Sequence, residues 1–474
     1  MPNLTRRQFL KLSALAGGTL TGQSLLAACA PGPSAGPAAT AVQPPAGTAT
    51  PTVESAFPAT PRPATVLGAG RGIFPGRVVW AHNPQAAGWD GRSGYWWQDE
   101  STDRNLVSEM LSHSLRKLTG QSGDRAAWDA LFADFKAQRG QSGGYRPGEK
   151  IAVKANLNGT KTHGATANES FVSPAVTAAL LNQLVQAGVA AADITVYDAS
   201  RAVPDPLVDA CRIPALAGVR FADFPGGDGR EICRRDPNQA VRWSVATGGN
   251  PAFLPDVATE ADYLINVALL KAHTLAGVTL TAKNHFGTIM DDLDGQPTIN
   301  PPQGANLHGY VAAYDFNAAP GWSWPQAPMG SYNPLVDLIG HPHLGGKTLL
   351  FLIDGLYGVE DQNAEVSARS RFQSAPFDDH WSASLLLSQD PVALDSVGAD
   401  ILVHEPAAVT HPDVLPADST YQNYLHEAAL ADDPPSGTDY GLPGLGVHDH
   451  WNNAAEKKYG RNLGLGDGIE LVTD

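Results

Sequence analysis

Four short apolar runs, each followed by residues of the kind that bind anions or move protons, limit what this 474-residue chain can fold into. They are Ile151-Ala152-Val153, Ile194-Thr195-Val196-Tyr197, Tyr263-Leu264-Ile265-Asn266-Val267 and Thr348-Leu349-Leu350-Phe351-Leu352-Ile353. Each is too short and too β-branched or aliphatic for a helix, and reads as a strand covered on both faces. Arg77-Val78-Val79-Trp80-Ala81 reads as a further strand at the edge. Between the first two runs, Ser173-Pro174-Ala175 opens a helical pattern through Val176, Leu180, Leu181, Leu184 and Val185 that ends at Gly188. Serine cap, proline in the first turn and glycine stop are the marks of a helix. Strand, helix, strand in this order makes a right-handed crossover between parallel strands. The expected fold class is therefore α/β: a mainly parallel open sheet flanked by helices, with long loop insertions.

In an open α/β sheet the ligand crevice lies outside the carboxyl ends of the strands. The four runs lead into Lys154-Ala155-Asn156-Leu157-Asn158, Asp198-Ala199-Ser200-Arg201, Lys271-Ala272-His273 and Asp354-Gly355, and the edge run leads into His82-Asn83. Parallel strands would gather these groups on one rim. Loops are polar in any case, but Lys, Asn, Asp and His are also the groups that hold anions and transfer protons. The segment from His273 to Gly287 is the densest; a helix beginning after Gly277 would put Thr279 and Lys283 on one face at i, i+4.

Lys154, Lys271 and Lys283 would then form a positive cluster in a chain of formal net charge -16, suited to the carboxylate or phosphate of a small-molecule substrate. A lysine beside a hydrophobic wall can also lose its proton and act as a base or an imine-forming nucleophile. The equal alternative pairs each lysine with an aspartate, Asp198 or Asp354, in a buried structural network. In the catalytic reading Lys271 and Lys283 hold the anion while His273, paired with Asp198 or with a metal, moves the proton. Lys154, Asn156, Asn158, Asn284, Thr279, Asp354 and Asp395 then bind the ligand.

Lys154-x-Asn156, Lys271-x-His273 with Thr279 and Lys283-Asn284-x-Phe286-Gly287, Asp354-Gly355, and Gln389-Asp390-Pro391-Val392-Ala393-Leu394-Asp395-Ser396 occur in that order. Together they resemble the domain of unknown function DUF362 over most of the body, and the lead-in from Pro75 to Trp80 is similar to that of its exported members. The resemblance implies no particular activity. Some members carry added ferredoxin-like cysteine clusters. This chain has three cysteines, Cys29, Cys211 and Cys233, so a four-cysteine iron–sulfur site (4Fe-4S) is excluded within one chain unless other residue types substitute.

At the other end, Thr5-Arg6-Arg7-Gln8-Phe9-Leu10-Lys11, a short apolar run and Leu26-Ala27-Ala28-Cys29 read as a twin-arginine export signal closing on a lipoprotein processing site, residues 1–28. Gly17, Gly18 and Gly22 interrupt the run and make it a poor membrane span. Lipidation at Cys29 would place the protein outside the cytoplasm on the cell envelope. Residues 29–64, rich in Pro, Ala and Thr, read as a disordered tether, and residues 65–474 as a single elaborated domain. The acidic charge suits neither nucleic acid nor an anionic membrane, so membrane contact is expected only through the anchor.

In an oxidising compartment Cys211 and Cys233 form a disulfide or remain buried thiols. A divalent metal is left open as a cofactor; His341-Pro342-His343 and His448-Asp449-His450 have metal-pair spacing but read as surface residues. His163 lies in a loop able to close over a ligand, Asp390 reads as a helix cap, and Trp96, Trp97, Trp322 and Trp324 as packing or lid. No nucleophile elbow, Walker loop or dinucleotide fingerprint is present. These readings favour an anchored enzyme acting on a small anion, then a non-catalytic binding lipoprotein in the same crevice, then a redox module.

Overall fold

A computed structural model describes residues 65–247, 251–290, 307–319, 322–359, 361, 364–405 and 419–473. The export signal, the tether and Cys29 lie outside the described residues. Along the main sheet the strands are β1 (Arg77–His82), β2 (Ile151–Ala155), β3 (Ile194–Asp198), β4 (Arg220–Asp223), β5 (Glu231–Ile232), β6 (Tyr263–His273), β7 (Gly277–Val278), β8 (Thr348–Val359), β9 (Ser384–Ser388) and β10 (Glu470–Thr473). Their spatial order is β10-β1-β9-β8-β6-β2-β3-β4-β5, with β7 folded back on β6. Every neighbour in that order pairs parallel except β9, which runs antiparallel to both β1 and β8. The fold is α/β with a mainly parallel central sheet, as the apolar runs required.

Alternation along the strands divides the core in two. On β8, Phe351 and Ile353 enter one cluster and Leu350 and Leu352 the other; on β6, Leu264 and Ala268 oppose Ile265 and Val267. The second cluster is closed by α1 (Arg104–Thr119), α2 (Asp124–Ala137) and α3 (Pro174–Gln186) through Leu111, Leu131 and Leu180. The first is closed by α4 (Leu280–Asn284), α5 (Pro334–Gly340), α6 (Pro391–Val403) and α7 (Asn423–Ala429) through Leu280, Leu335, Val392 and Leu425. Helix α3 starts as its sequence specifies, with the Ser173 side chain accepting from the Ala175 amide at 3.2 Å. Asp390 caps α6, accepting from the Ala393 amide at 2.9 Å. No helix among the described residues is long and apolar enough to cross a membrane.

Two local expectations change. Arg77–Ala81 is not the edge, because β10 pairs outside it. Strands β6 and β8 extend well past Val267 and Ile353, so Lys271, His273 and Asp354 sit within strands, not in loops beyond them. The added backbone bonds come from the β6–β8 ladder, which resumes at Val359 opposite Lys271 after a bulge, and from β7, whose Gly277 and Val278 pair with His273 and Ala272. Of the two alternatives for the cysteines, buried thiols hold: Cys211 and Cys233 are free and lie in different core clusters.

Candidate functional site

Lys154, near the carboxyl end of β2, is fully buried and fully used. Its Nζ donates to the Ala155 carbonyl at 2.8 Å, Asp198 Oδ2 at 3.0 Å and Asn284 Oδ1 at 3.1 Å, which exhausts an ammonium's three protons. Asp198 Oδ1 accepts from the Ser200 amide and hydroxyl, each at 2.8 Å. Asn284 is fixed by donating to Asn266 Oδ1 at 2.9 Å. For this lysine the structural-network alternative holds, and Asn284 is its partner.

Gly287 explains itself against that pair. A Cβ on it would lie 2.9 Å from Lys154 Nζ and 3.0 and 3.1 Å from the two Asp198 carboxylate oxygens. Gly287→Ala is expected to destabilise the protein by about 1–3 kcal/mol through overpacking, measured as a lowered urea midpoint with unchanged slope. An unchanged midpoint would mean that the pair yields without cost.

Lys271 is placed differently. The β6–β7 register continues by one residue, with the Thr279 amide donating to the Lys271 carbonyl at 3.0 Å. Directly opposed residues share a face of an antiparallel pair, as do residues two apart on one strand. Lys271, His273 and Thr279 are thus on one face, and Gly277 opposite His273 adds no side chain. Lys271 Nζ and Thr279 Oγ1 are both buried without a hydrogen-bond partner. Burial lowers the Lys271 ammonium to about 7, and the charges of Arg201 and Lys154 push in the same direction against Asp361 and Asp198.

His273 is not paired with Asp198, which is committed to Lys154. Its Nδ1 accepts from the backbone amides of Leu275 at 3.1 Å and Ala276 at 3.3 Å. That assignment leaves the proton on Nε2 of a neutral ring. Burial, then the charges of Lys283 and His308, hold the imidazole well below its ordinary titration range. The ring stacks against His308 with centroids 5.8 Å apart.

Lys283, on α4, places Nζ 3.3 Å from His308 Nε2 and 3.8 Å from the centroid of the Phe286 ring. Burial and the neighbouring Lys271 and Arg201 charges depress it strongly. Arg201, three residues past Asp198, joins this group although its residue type after a strand does not mark it as a site residue. Its Nε and Nη2 donate to the Asn158 carbonyl and Oδ1 at 3.0 and 3.1 Å, and Nη1 to the Ser200 carbonyl at 2.9 Å. Asn158 therefore orients Arg201, and Asn156 turns the loop, its Oδ1 accepting weakly from the Asn158 amide at 3.4 Å.

Two aspartates leave the ligand set. Asp354 accepts from the amides of Ser173 at 2.6 Å and Leu356 at 3.0 Å. It ties β8 to the start of α3, on the other side of the sheet from α4. Asp395 accepts from the Thr281 amide and hydroxyl, the Ala282 amide and the Tyr424 hydroxyl, at 2.7 to 3.0 Å. It clamps the first turn of α4 beside Leu280, whose φ of 48° is left-handed. Burial raises both carboxyls to about 6.

Other candidates resolve into packing or local networks. His163 bridges Asp223 at 2.8 Å and Asp228 at 3.1 Å. His448 is buried against Ser396 at 2.8 Å and is not a surface residue, whereas His450, between Asp400 and Gln422, keeps a 40% exposed side chain. Trp96 packs on Phe171 and Tyr357, and Trp97 stacks on Tyr95. Among the described residues no group of three or more His, Cys, Asp or Glu is placed to hold a metal ion. A cleft of about 450 Å³, lined by Lys150, Thr195, Arg220, Glu231 and Arg234, opens at the amino ends of the strands and contains none of the predicted residues.

No curated protein matches the chain. The paired lysine, the Lys271–His273–Thr279 face and the clamp at Asp395 all fall within residues 151–400, which match the domain of unknown function DUF362. That span is more than half of the 474 residues, and the protein is a member of the DUF362 family.

Proposed function

We propose that this protein is an exported, lipid-anchored enzyme that binds a small anion, a carboxylate or a phosphate, between Lys271, Lys283 and Arg201 at the carboxyl ends of the strands. The observation that carries the reading is the contrast among the lysines. Lys154 has a carboxylate and two further acceptors, whereas Lys271 Nζ is equally buried with no acceptor at all. A buried polar group without a hydrogen-bond partner is costly, and a ligand bound against Lys271 beside Arg201 would offset that cost.

His273 contributes as a neutral donor. With Nδ1 occupied by two backbone amides, only Nε2–H is left to face a substrate, so the ring polarises a substrate oxygen instead of removing a proton. Export and anchoring rest on Arg6-Arg7 and on Ala27-Ala28-Cys29.

Calorimetric titration with inorganic phosphate and with pyruvate tests the reading. At least one should bind, and Lys283→Met should weaken that binding at least tenfold, about 1.4 kcal/mol. Failure of both anions to bind, or equal affinity in the variant, rejects the site. Binding with no turnover across a metabolite screen would favour a purely binding lipoprotein.

A further inference from the structure

We infer that Lys271 is an imine-forming amine and that the substrate is a small 2-oxo acid, whose carboxylate is held by Lys283 and Arg201 while Thr279 and His273 attend its carbonyl oxygen. The inference rests on the anion-binding reading and adds to it the electrophile.

Two unsatisfied polar atoms belong to residues joined by a backbone hydrogen bond. Lys271 Nζ and Thr279 Oγ1 are both buried without partners, on residues that oppose one another across β6 and β7. Unsatisfied buried polar atoms are uncommon because each costs about 1–3 kcal/mol. A pair of them on one face marks a place where something else supplies the bonds. A lysine kept only to hold an anion gains from remaining charged. Here apolar burial and the nearby charges of Arg201 and Lys154 favour the free amine, which carries a lone pair. Arg201 keeps its charge for an anion; Lys283, whose ammonium burial also depresses, adds an N–H donor already in contact with His308, whereas Lys271 Nζ has no partner. What Lys271 is suited to meet is an electron-poor carbon next to the anion's charge, and a 2-oxo acid has the two on adjacent atoms.

The step balances without an outside reagent. Neutral Nζ attacks the 2-carbon, the C–N bond forms, and the carbonyl electron pair moves to oxygen, which is stabilised by the Thr279 hydroxyl and His273 Nε2–H. The oxygen collects the two protons that the amine gives up and departs as water, leaving C=N in place of C=O. His308, stacked on His273 and 3.3 Å from Lys283, covers these two residues, so entry on that side requires the turn Leu307–Tyr310 to move aside.

Borohydride reduction of the full-length protein in the presence of pyruvate tests the proposal, with the adduct located by peptide mass spectrometry. One reduced adduct per chain on Lys271 is expected, absent in Lys271→Met. Its rate of formation should rise with pH and level off above about 7. Thr279→Val should slow trapping at least tenfold, and Thr279→Ser should restore it. Pyruvate bound without an adduct overturns the imine while leaving the anion site intact. Phosphate bound but not pyruvate overturns the substrate class, and neither bound overturns both readings. Labelling confined to exposed lysines also rejects the proposal.

Discussion

Lys271→Met is expected to make the protein more stable while abolishing reaction at the site. The folded-state ammonium is lowered from 10.5 to about 7 by burial. The unfolded chain therefore binds more protons than the folded one between those limits, and wild-type stability rises with pH across that window. At and below pH 7 the whole penalty is present; it fades as pH approaches 10.5. At about 1.36 kcal/mol per pH unit the drop corresponds to an upper bound of about 5 kcal/mol. Methionine nearly matches the volume without carrying a charge. The variant should thus exceed wild type by several kcal/mol in urea denaturation at pH 6, with the two curves converging near pH 10. A gain independent of pH, or a loss at pH 6, would show that Lys271 is not a strained amine. Stability given up at one buried residue is what a functional site looks like.

Asp198→Ala should act in the opposite direction and about as strongly. It leaves the Lys154 ammonium fully buried with only the Ala155 carbonyl and Asn284 Oδ1 for company. Removing one partner of a buried ion pair costs about 3–5 kcal/mol. The double variant Lys154→Met with Asp198→Leu should recover most of the loss, since an apolar pair of similar volume removes both desolvated charges. Denaturation midpoints of the three variants provide the check, and a loss below about 1 kcal/mol for Asp198→Ala would mean that solvent reaches the pair. Replacing a lysine therefore stabilises at Lys271 but not at Lys154, although both are fully buried lysines on adjacent strands of one sheet.

The sheet was legible because buried parallel strands leave unbroken apolar runs, and all four central runs became strands. Strand β9 was not, since Ser384-Leu385-Leu386-Leu387-Ser388 has neither alternation nor β-branching, and β10 is a short terminal run set by its partner. Lys271, His273, Thr279 and Lys283 could be gathered from sequence because one hairpin and one short helix carry them all. The bonding partners of His273 are not legible in the sequence. Its Nδ1 bonds come from the turn at Leu275 and Ala276, and backbone amides leave no mark in side-chain identity. Asp354 and Asp395 looked equivalent to Asp198 for the same reason: each is saturated largely by amides, which only the fold reveals. Arg201 is not legible as a site residue, because arginine after a strand reads as a solvated loop residue and only the fold shows Asn158 holding it inward.

The first long strand of the domain, β1, has for neighbours β9 and β10, formed by residues 384–388 and 470–473. Arg77, at the start of β1, closes a two-pronged ion pair with Glu470 at 2.9 and 3.2 Å. During synthesis β1 must therefore leave the ribosome long before either partner exists, with both its edges bare. Such distant pairing delays folding and exposes a strand that invites association with other chains. A chain fed through a membrane in extended form would meet that hazard on the far side, where the finished sheet has to be rebuilt from its two ends. A route that carries the domain across already folded, with its last strand docked, avoids it.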